Sequence, residues 1–448
     1  MLNRLLSVLL SIFLFLSSTS FNIFLLSRNF NTSRVIKDIE YLSGENFKGR
    51  LSGTLENASA ATYLKNKFID LGLKPFKDSY YSSFNVSYPK EVEGSPHLCV
   101  YNSDKTLVKS YVYNEDYKES MLNFKINRTC ISKNNIFYKN ETCICANSPE
   151  GPVAIFTTSD NAIEFRSSFY VESKYVLSLQ VTASCFEELL AHLENRKEID
   201  IFIPYTNDTT EVNNVAGVIK GKNPSLPPLV ISAHFDHVGS DLNGNTYCGA
   251  LDNASGTSFV LELIKYIRPL GIPSRDIIFV MFNGEELGLK GSQAFVAENE
   301  SLLSGAHIYN FDMIGSDDGI PLCIMAPSEK TAEEPILADV ANICREQNVF
   351  FNSMFEDSSD HASFSGINAN AITICDYDTT RIHTPEDTVE HISESAIDRC
   401  FSVIKPQLDK EIWGDNILYL HTDMILVISL GASLILSIIT IIRKKQVL

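Results

Sequence analysis

Leu229-Val-Ile-Ser-Ala-His-Phe-Asp-His237 decides the architecture: a strand-like run passes directly into three ionisable side chains. A strand apolar on both faces belongs in a sheet covered on both sides, and such sheets alternate strands with helices. The pattern recurs downstream. Residues 256–267 have helix character and are stopped by Pro269 and Gly271, while 277–282, 306–311 and 369–375 are further apolar strands. The expectation is an α/β fold whose site lies beyond the carboxyl ends of the strands.

Upstream, residues 59–71 place Ala61, Leu64, Phe68 and Leu71 on one helical face, with Gly72 as the stop. Residues from about 95 to 205 differ in composition. They are rich in Tyr, Asn, Ser and Cys, with short strand-like runs at 153–156 and 199–203, and read as a separate β-rich or α+β insert.

The chain has 448 residues, 44% of them hydrophobic, enough for one large or two medium domains. Its 55 acidic against 37 basic residues give a net charge of −18, with bases clustered only at the C-terminus. That balance speaks against a nucleic-acid partner. Residues 5–16 follow Arg4 as the apolar core of a signal peptide, with Ser17, Ser18, Thr19 and Ser20 as a cleavage region. Residues 21–26 are apolar again, so an uncleaved signal anchor stays open.

Residues 424–442 carry no charge and are long enough to cross a bilayer core. Arg443, Lys444 and Lys445 follow, and the positive-inside rule places them in the cytoplasm. Residues from about 31 to 423 then face the lumen or the outside. N-x-S/T triplets at Asn31, Asn57, Asn85, Asn127, Asn140, Asn207 and Asn299 suit that side. Ten cysteines in an oxidising compartment are expected to pair in part.

Ionisable residues gather where the strands end. His234, Asp236 and His237 follow the first strand, Asp252 and Asn253 open the helix, and Glu285 and Glu286 follow 277–282. Asp312 follows 306–311, and His383 lies in a later loop. Each alone has an ordinary reading, such as a helix cap for Asp252 or a first-turn carboxylate for Glu285. Together they would be costly to gather without cations. A His, Asp and Glu set without cysteine suits catalytic zinc. Five ligands exceed one open tetrahedral site and fit two metals sharing a carboxylate. Of the adjacent Glu285 and Glu286, one can bind metal while the other takes a proton.

These segments resemble the co-catalytic dizinc aminopeptidases of the aminopeptidase S and aminopeptidase Y type, relatives of glutamate carboxypeptidases and glutaminyl cyclases. The resemblance rests on Asn46-Phe-Lys-Gly-Arg-Leu-Ser-Gly-Thr54, His234-Phe-Asp236, Asp252-Asn-Ala-Ser-Gly256, Asn283-Gly-Glu-Glu-Leu-Gly288, Asn310-Phe-Asp312 and His383-Thr-Pro-Glu-Asp387. It implies a mixed central β-sheet with helices on both faces and two zinc ions per chain. Asp252 would bridge them, His234 and Asp312 would complete one site, and Glu286 and His383 the other. Glu285 would be the general base, and Asp236 would orient His234 through its second ring nitrogen. Ser359-Asp360-His361 resembles a pocket-lining stretch of the family.

The insert occupies the place of a protease-associated domain, although the Cys-rich stretch 127–145 departs from that pattern. The implied organisation is a signal peptide or anchor (1–20), the N-terminal part of the peptidase domain (30–95) and the insert (96–205). The catalytic domain (206–410), a stalk (411–423), a transmembrane helix (424–442) and a cytoplasmic tail (443–448) follow.

The implied activity is hydrolysis of N-terminal residues from peptides with a free N-terminus, by a zinc-bound water whose proton Glu285 takes. The location would be the secretory pathway or cell surface, with one C-terminal span. Glutaminyl cyclisation on the same fold stays open, although that branch departs from the Asp-Asn-Ala-Ser-Gly and Glu-Glu-Leu-Gly forms kept here. Carboxypeptidase or dipeptidase action needs a basic group for a substrate carboxylate, for which Arg381 is available. An inactive receptor ectodomain would tolerate loss of ligands, and all are present. Side-chain preference and oligomeric state are not legible in the sequence.

Overall fold

The computed structural model describes residues 2–158, 163–317 and 319–447, with the backbone alone for residues 2–3 and 444–447. The side chains of Lys444 and Lys445 thus lie outside the described residues.

A nine-stranded mixed sheet forms the centre. Its strands in chain order are β1 (Lys74–Pro75), β2 (Tyr81–Glu91), β3 (Tyr205–Ile219), β4 (Leu229–His234), β5 (Ile277–Phe282), β6 (His307–Phe311), β7 (Leu322–Ala326), β8 (Phe351–Phe355) and β9 (Asn370–Asp376). The spatial order is β1-β3-β5-β4-β6-β9-β7-β8, with β2 paired to β3. Strands β5, β4, β6 and β9 run parallel, so their carboxyl ends share one edge.

Side-chain alternation along these strands creates two cores. Ile231, Phe279, Tyr309 and Ile372 meet helices on one face, whereas Val230, Ile278, Ile308 and Ala371 meet Phe295 on the other. The first face is covered by α2 (Thr32–Leu42), α3 (Leu55–Asp70), α5 (Gly256–Ile267), α7 (Pro335–Gln347) and α8 (Glu394–Trp413); the second by α6 (Lys290–Leu303). Each fully buried side chain of this size contributes about 1.5–3 kcal/mol over its exposed state. The α/β class expected from the sequence is therefore the observed one.

Between β2 and β3 the chain builds a second body around its own core. It holds a five-stranded and a four-stranded sheet and α4 (Ala183–Glu194). The long antiparallel ribbon of β2 and β3 joins it to the central sheet.

The N-terminal segment is locked in by a buried arginine. The Arg50 guanidinium donates to the carbonyls of Leu42 (2.7 Å), Phe235 (2.7 Å), Cys248 (2.8 Å) and Gly249 (2.8 Å). Gly49 ahead of it takes φ +70°, and a Cβ there would stand 2.4 Å from the Tyr247 carbonyl oxygen. Only glycine fits that turn.

Among the described residues, two helices are long and apolar enough to cross a membrane: Arg4–Leu26 within α1 (Leu2–Leu26) and Thr422–Arg443 within α10 (Thr422–Val447), the latter after the four-residue α9 (Ile417–Leu420). They pack together through small polar residues. The Ser17 hydroxyl donates to that of Ser429 (3.0 Å), with Ser20 and Ser433 buried nearby on the same helices. Large apolar residues such as Phe15 (71% exposed) and Val427 (70%) point outward. The residues expected to form a cleavage region lie inside the continuous α1.

Two surface expectations can be placed in the structure. All ten cysteines are unbonded, and eight are buried as small apolar side chains. Of the sequons, Asn57 and Asn299 are buried with their amide nitrogens already donated, to Arg50 and Asn283 and to Phe295 respectively. Asn31, Asn85 and Asn140 are exposed.

Candidate metal centre

The carboxyl edge of β4, β5, β6 and β9 gathers the ionisable residues. His234 ends β4, Glu285 and Glu286 follow β5, Asp312 follows β6, and His383 lies in the loop after β9. Asp252 comes from the turn before α5, where its peptide bond to Asn253 is cis. The backbone N–H groups of Leu251 and Asp252 donate to Asp387 (2.7 and 3.1 Å), which fixes that turn.

The donors form two groups. In the first, His234 Nε2 lies 3.4 Å from Asp252 Oδ1 and 3.3 Å from Asp312 Oδ1. In the second, His383 Nε2 lies 3.2 Å from Asp252 Oδ2 and 3.0 Å from Glu286 Oε1. His237 Nδ1 joins it, 3.0 Å from Glu286 Oε1 and 3.6 Å from Asp252 Oδ2. Ligands about 2.0–2.2 Å from one tetrahedral ion stand about 3.3–3.6 Å apart, and the separations here, 3.0–3.6 Å, lie close to that window. Asp252 gives one oxygen to each group. Cys375 lines the adjoining cavity yet belongs to neither group, and imidazole with carboxylate is a catalytic zinc donor set.

Charge balance follows the same division. Burial alone would raise the Glu286 carboxyl, but the His383 and His237 imidazoles pull it well below its usual range. Burial likewise opposes charge on His383 and His234. Glu286 and Asp252 nevertheless raise the first, and Asp312 and Glu285 the second, well above a free imidazole. Glu285 behaves in the opposite way. Burial pushes its carboxyl well up, and Glu286, Asp360 and Asp312 add to the rise. It lines the cavity beside both groups but belongs to neither.

Supporting residues come from several places. Ser359 donates to Asp312 Oδ2 (2.8 Å) and is itself held by Asn310 (2.9 Å). The buried Asp360 carboxyl is raised to about 7, chiefly by burial. The Asn253 side chain accepts from Gly256 N–H (2.9 Å) and Met313 N–H (3.2 Å) and donates to Phe311 O (3.0 Å). Asp236 sits beside His234, the residue it was expected to orient. Its carboxylate stands 3.7 Å from His234 Nδ1, beyond hydrogen-bond distance. Instead it accepts from the N–H groups of Glu285 (3.1 Å) and Glu286 (3.2 Å) and from Ser52 (3.2 Å). His234 Nδ1 meets the Asp236 backbone carbonyl at 3.3 Å.

His237 received no role from the sequence, although its place three residues after His234 was the available signal. The part the insert plays here was missed as well: its Ser168 hydroxyl donates to Glu286 Oε2 at 2.5 Å. Arg381 faces Asp378 at 3.8 Å.

The cavity at this edge measures about 210 Å³ and is walled by Ser168, Met325, Tyr377 and Ile382 besides the donors. Larger cavities, of about 450 and 730 Å³, lie elsewhere and carry none of them.

Residues 214–407 match the family described as Peptidase family M28. Aminopeptidase YwaD of Bacillus subtilis (strain 168) is 31% identical over 222 residues, 45% of this chain and 44% of that protein. A vacuolar membrane protease of Kluyveromyces lactis is 26% identical over 255 residues, 55% of this chain and 26% of that one. The matches thus span less than half the length of these relatives. In fold, the chain resembles an aminopeptidase from Aneurinibacillus sp. strain AM-1 (TM-score 0.58, 18% identity, covering 87% of this chain and 95% of that one). It also resembles a zinc aminopeptidase from Bacillus subtilis (TM-score 0.60, 18% identity, covering 86% and 96%). Residues 214–407 therefore match peptidase family M28, and the chain shares the fold of solved aminopeptidases.

Proposed function

We propose that this protein is a membrane-anchored aminopeptidase that uses two zinc ions and takes peptides with a free N-terminus. One observation carries the reading: the two oxygens of Asp252 face two separate donor groups, with the Glu285 carboxyl beside them and outside both. His234, Asp252 and Asp312 would hold one ion, and Asp252, Glu286 and His383 the other. Bound there, zinc would polarise the scissile carbonyl and acidify water.

Glu285 accepts the proton of the attacking water and returns it to the leaving amine. Asp236 holds the Glu285 and Glu286 N–H groups, which keeps the acceptor and the ligand pointing apart. The acidic lining of a small cavity suits a cationic chain end. Arg381 turned to Asp378 offers little to a substrate carboxylate, which supports an aminopeptidase over a carboxypeptidase. Helix α10 would span the bilayer with Arg443 toward the cytoplasm and the catalytic part on the luminal or outer side.

The test is turnover of free and N-blocked aminoacyl reporters by the full chain in detergent, with zinc measured alongside. Two zinc ions and cleavage of free substrates only are expected. Cleavage of blocked substrates alone would overturn the N-terminal reading. Activity confined to N-terminal glutamine would favour a cyclase. No turnover with zinc bound would favour a receptor ectodomain.

A further inference from the structure

One segment of the insert, residues 164–172, enters the catalytic part. The Phe165 ring lies nearly parallel to the His383 imidazole, at 5.5 Å between centroids and 15°. The Arg166 and His383 backbones meet as well, the Arg166 N–H donating to the His383 carbonyl at 2.9 Å. The Arg166 carbonyl lies 3.0 Å from His383 Nδ1. Ser168 donates to Glu286 Oε2.

The segment is itself firmly held. The buried Arg166 guanidinium pairs with the buried Glu119 carboxylate. It also donates to the Val238 carbonyl (2.9 Å) and the Tyr205 hydroxyl (3.2 Å). The Tyr247 hydroxyl donates to the Glu164 carbonyl at 2.9 Å.

We infer that this segment is a built part of the Glu286–His383 metal site, and that the insert positions those two ligands but not His234 and Asp312. The chemistry is direct. A histidine whose Nδ1–H is committed to a carbonyl presents its lone pair at Nε2, the atom facing Asp252 and Glu286. A hydroxyl on Oε2 leaves Glu286 Oε1 to face the same point. Among the described residues, the other group draws its support from the catalytic part, through Asp236, Ser359 and Asn310. Ser168, Phe165 and Arg166 are thus positioning residues, and the two ions should depend on the insert unequally. The inference rests on the zinc reading above.

The experiment measures zinc affinity in the full chain, by competition with a chelator and metal analysis, in two single-site backgrounds. Asp312→Asn leaves the Glu286–His383 site, and Glu286→Gln leaves the His234–Asp312 site. Adding Ser168→Ala should weaken zinc about 10–100-fold in the first background, as for loss of a group that orients a ligand. It should change nothing in the second. Ser168→Thr, which keeps the hydroxyl, should restore affinity. Glu172→Gln, which loosens the segment from Lys290 at a distance (3.0 Å in the structure), should change neither. Phe165→Ala repeats the test if Ser168→Ala fails to fold. Equal loss in both backgrounds, or none in either, would overturn the inference. A parent protein with two zinc ions and such a result refutes the inference alone. A parent without zinc refutes the zinc reading and the inference with it.

Discussion

Replacing Glu285 by glutamine separates proton transfer from metal binding. The side chain keeps its size and loses only the ability to take a proton. The backbone N–H of residue 285 stays on Asp236 Oδ1 at 3.1 Å, so the turn is retained. Among the described residues the Glu285 carboxylate accepts no hydrogen bond, so none is lost on substitution. The change also removes a half-buried carboxyl from beside Glu286, Asp360 and Asp312. Folding stability should therefore hold or rise slightly. Loss of a general base costs about 10²–10⁴-fold in turnover, or about 3–5 kcal/mol in the barrier. Initial rates at saturating substrate, with bound zinc measured on the same sample, give both quantities. Normal turnover, or loss of zinc with Glu285→Gln while Glu286→Gln retains both ions, would refute the division of roles between the two glutamates.

Asp252→Ala should cost both metal ions, because each group loses an oxygen; a full complement of zinc in that variant would defeat the shared carboxylate. His237→Ala should weaken zinc by about 10–100-fold through Glu286, as read by chelator competition, and unchanged affinity would confine His237 to packing. Glycopeptide mapping should find Asn85 or Asn140 occupied, and Asn57, Asn299 and Asn253, which also heads a triplet (Asn253-Ala-Ser255), bare, because their amides are engaged inside the fold. A tag placed ahead of Arg4 should remain on the mature chain, because Ser17 and Ser20 lie within a helix packed on α10; loss of the tag on maturation would show that α1 is a leader.

The parallel strands were legible because each is an unbroken apolar run, and His234, Glu286 and Asp312 stand at or just past the ends of such runs, whereas Asp252 and His383 lie in loops, and the resemblance gave them their roles. The supporting residues were not. Ser168 is more than 60 positions from any ligand, and only the tertiary path of the insert brings it to Glu286. Asp236 was legible as a site residue, but its partners depend on how the turn after β5 folds back. The pairing expected of the cysteines is illegible for a related reason. Sequence gives their number, whereas their separation is set by which core each one enters. Likewise the N-x-S/T triplets at Asn57 and Asn299 carry no sign of the helices that bury them.

The Arg50 guanidinium bears on where this fold can be cut. The family match begins at residue 214, yet carbonyls at Phe235, Cys248 and Gly249, all inside the match, are capped by a side chain from far upstream. A fragment beginning at 214 would leave those oxygens buried without a donor, at roughly 1–3 kcal/mol each. It would also uncover the core face that α2 and α3 close. The stretch that carries the chemistry is therefore smaller than the stretch that folds. A boundary drawn by likeness to other proteins would yield an insoluble fragment here, whereas one drawn ahead of residue 31 keeps the arginine with the loops it ties together.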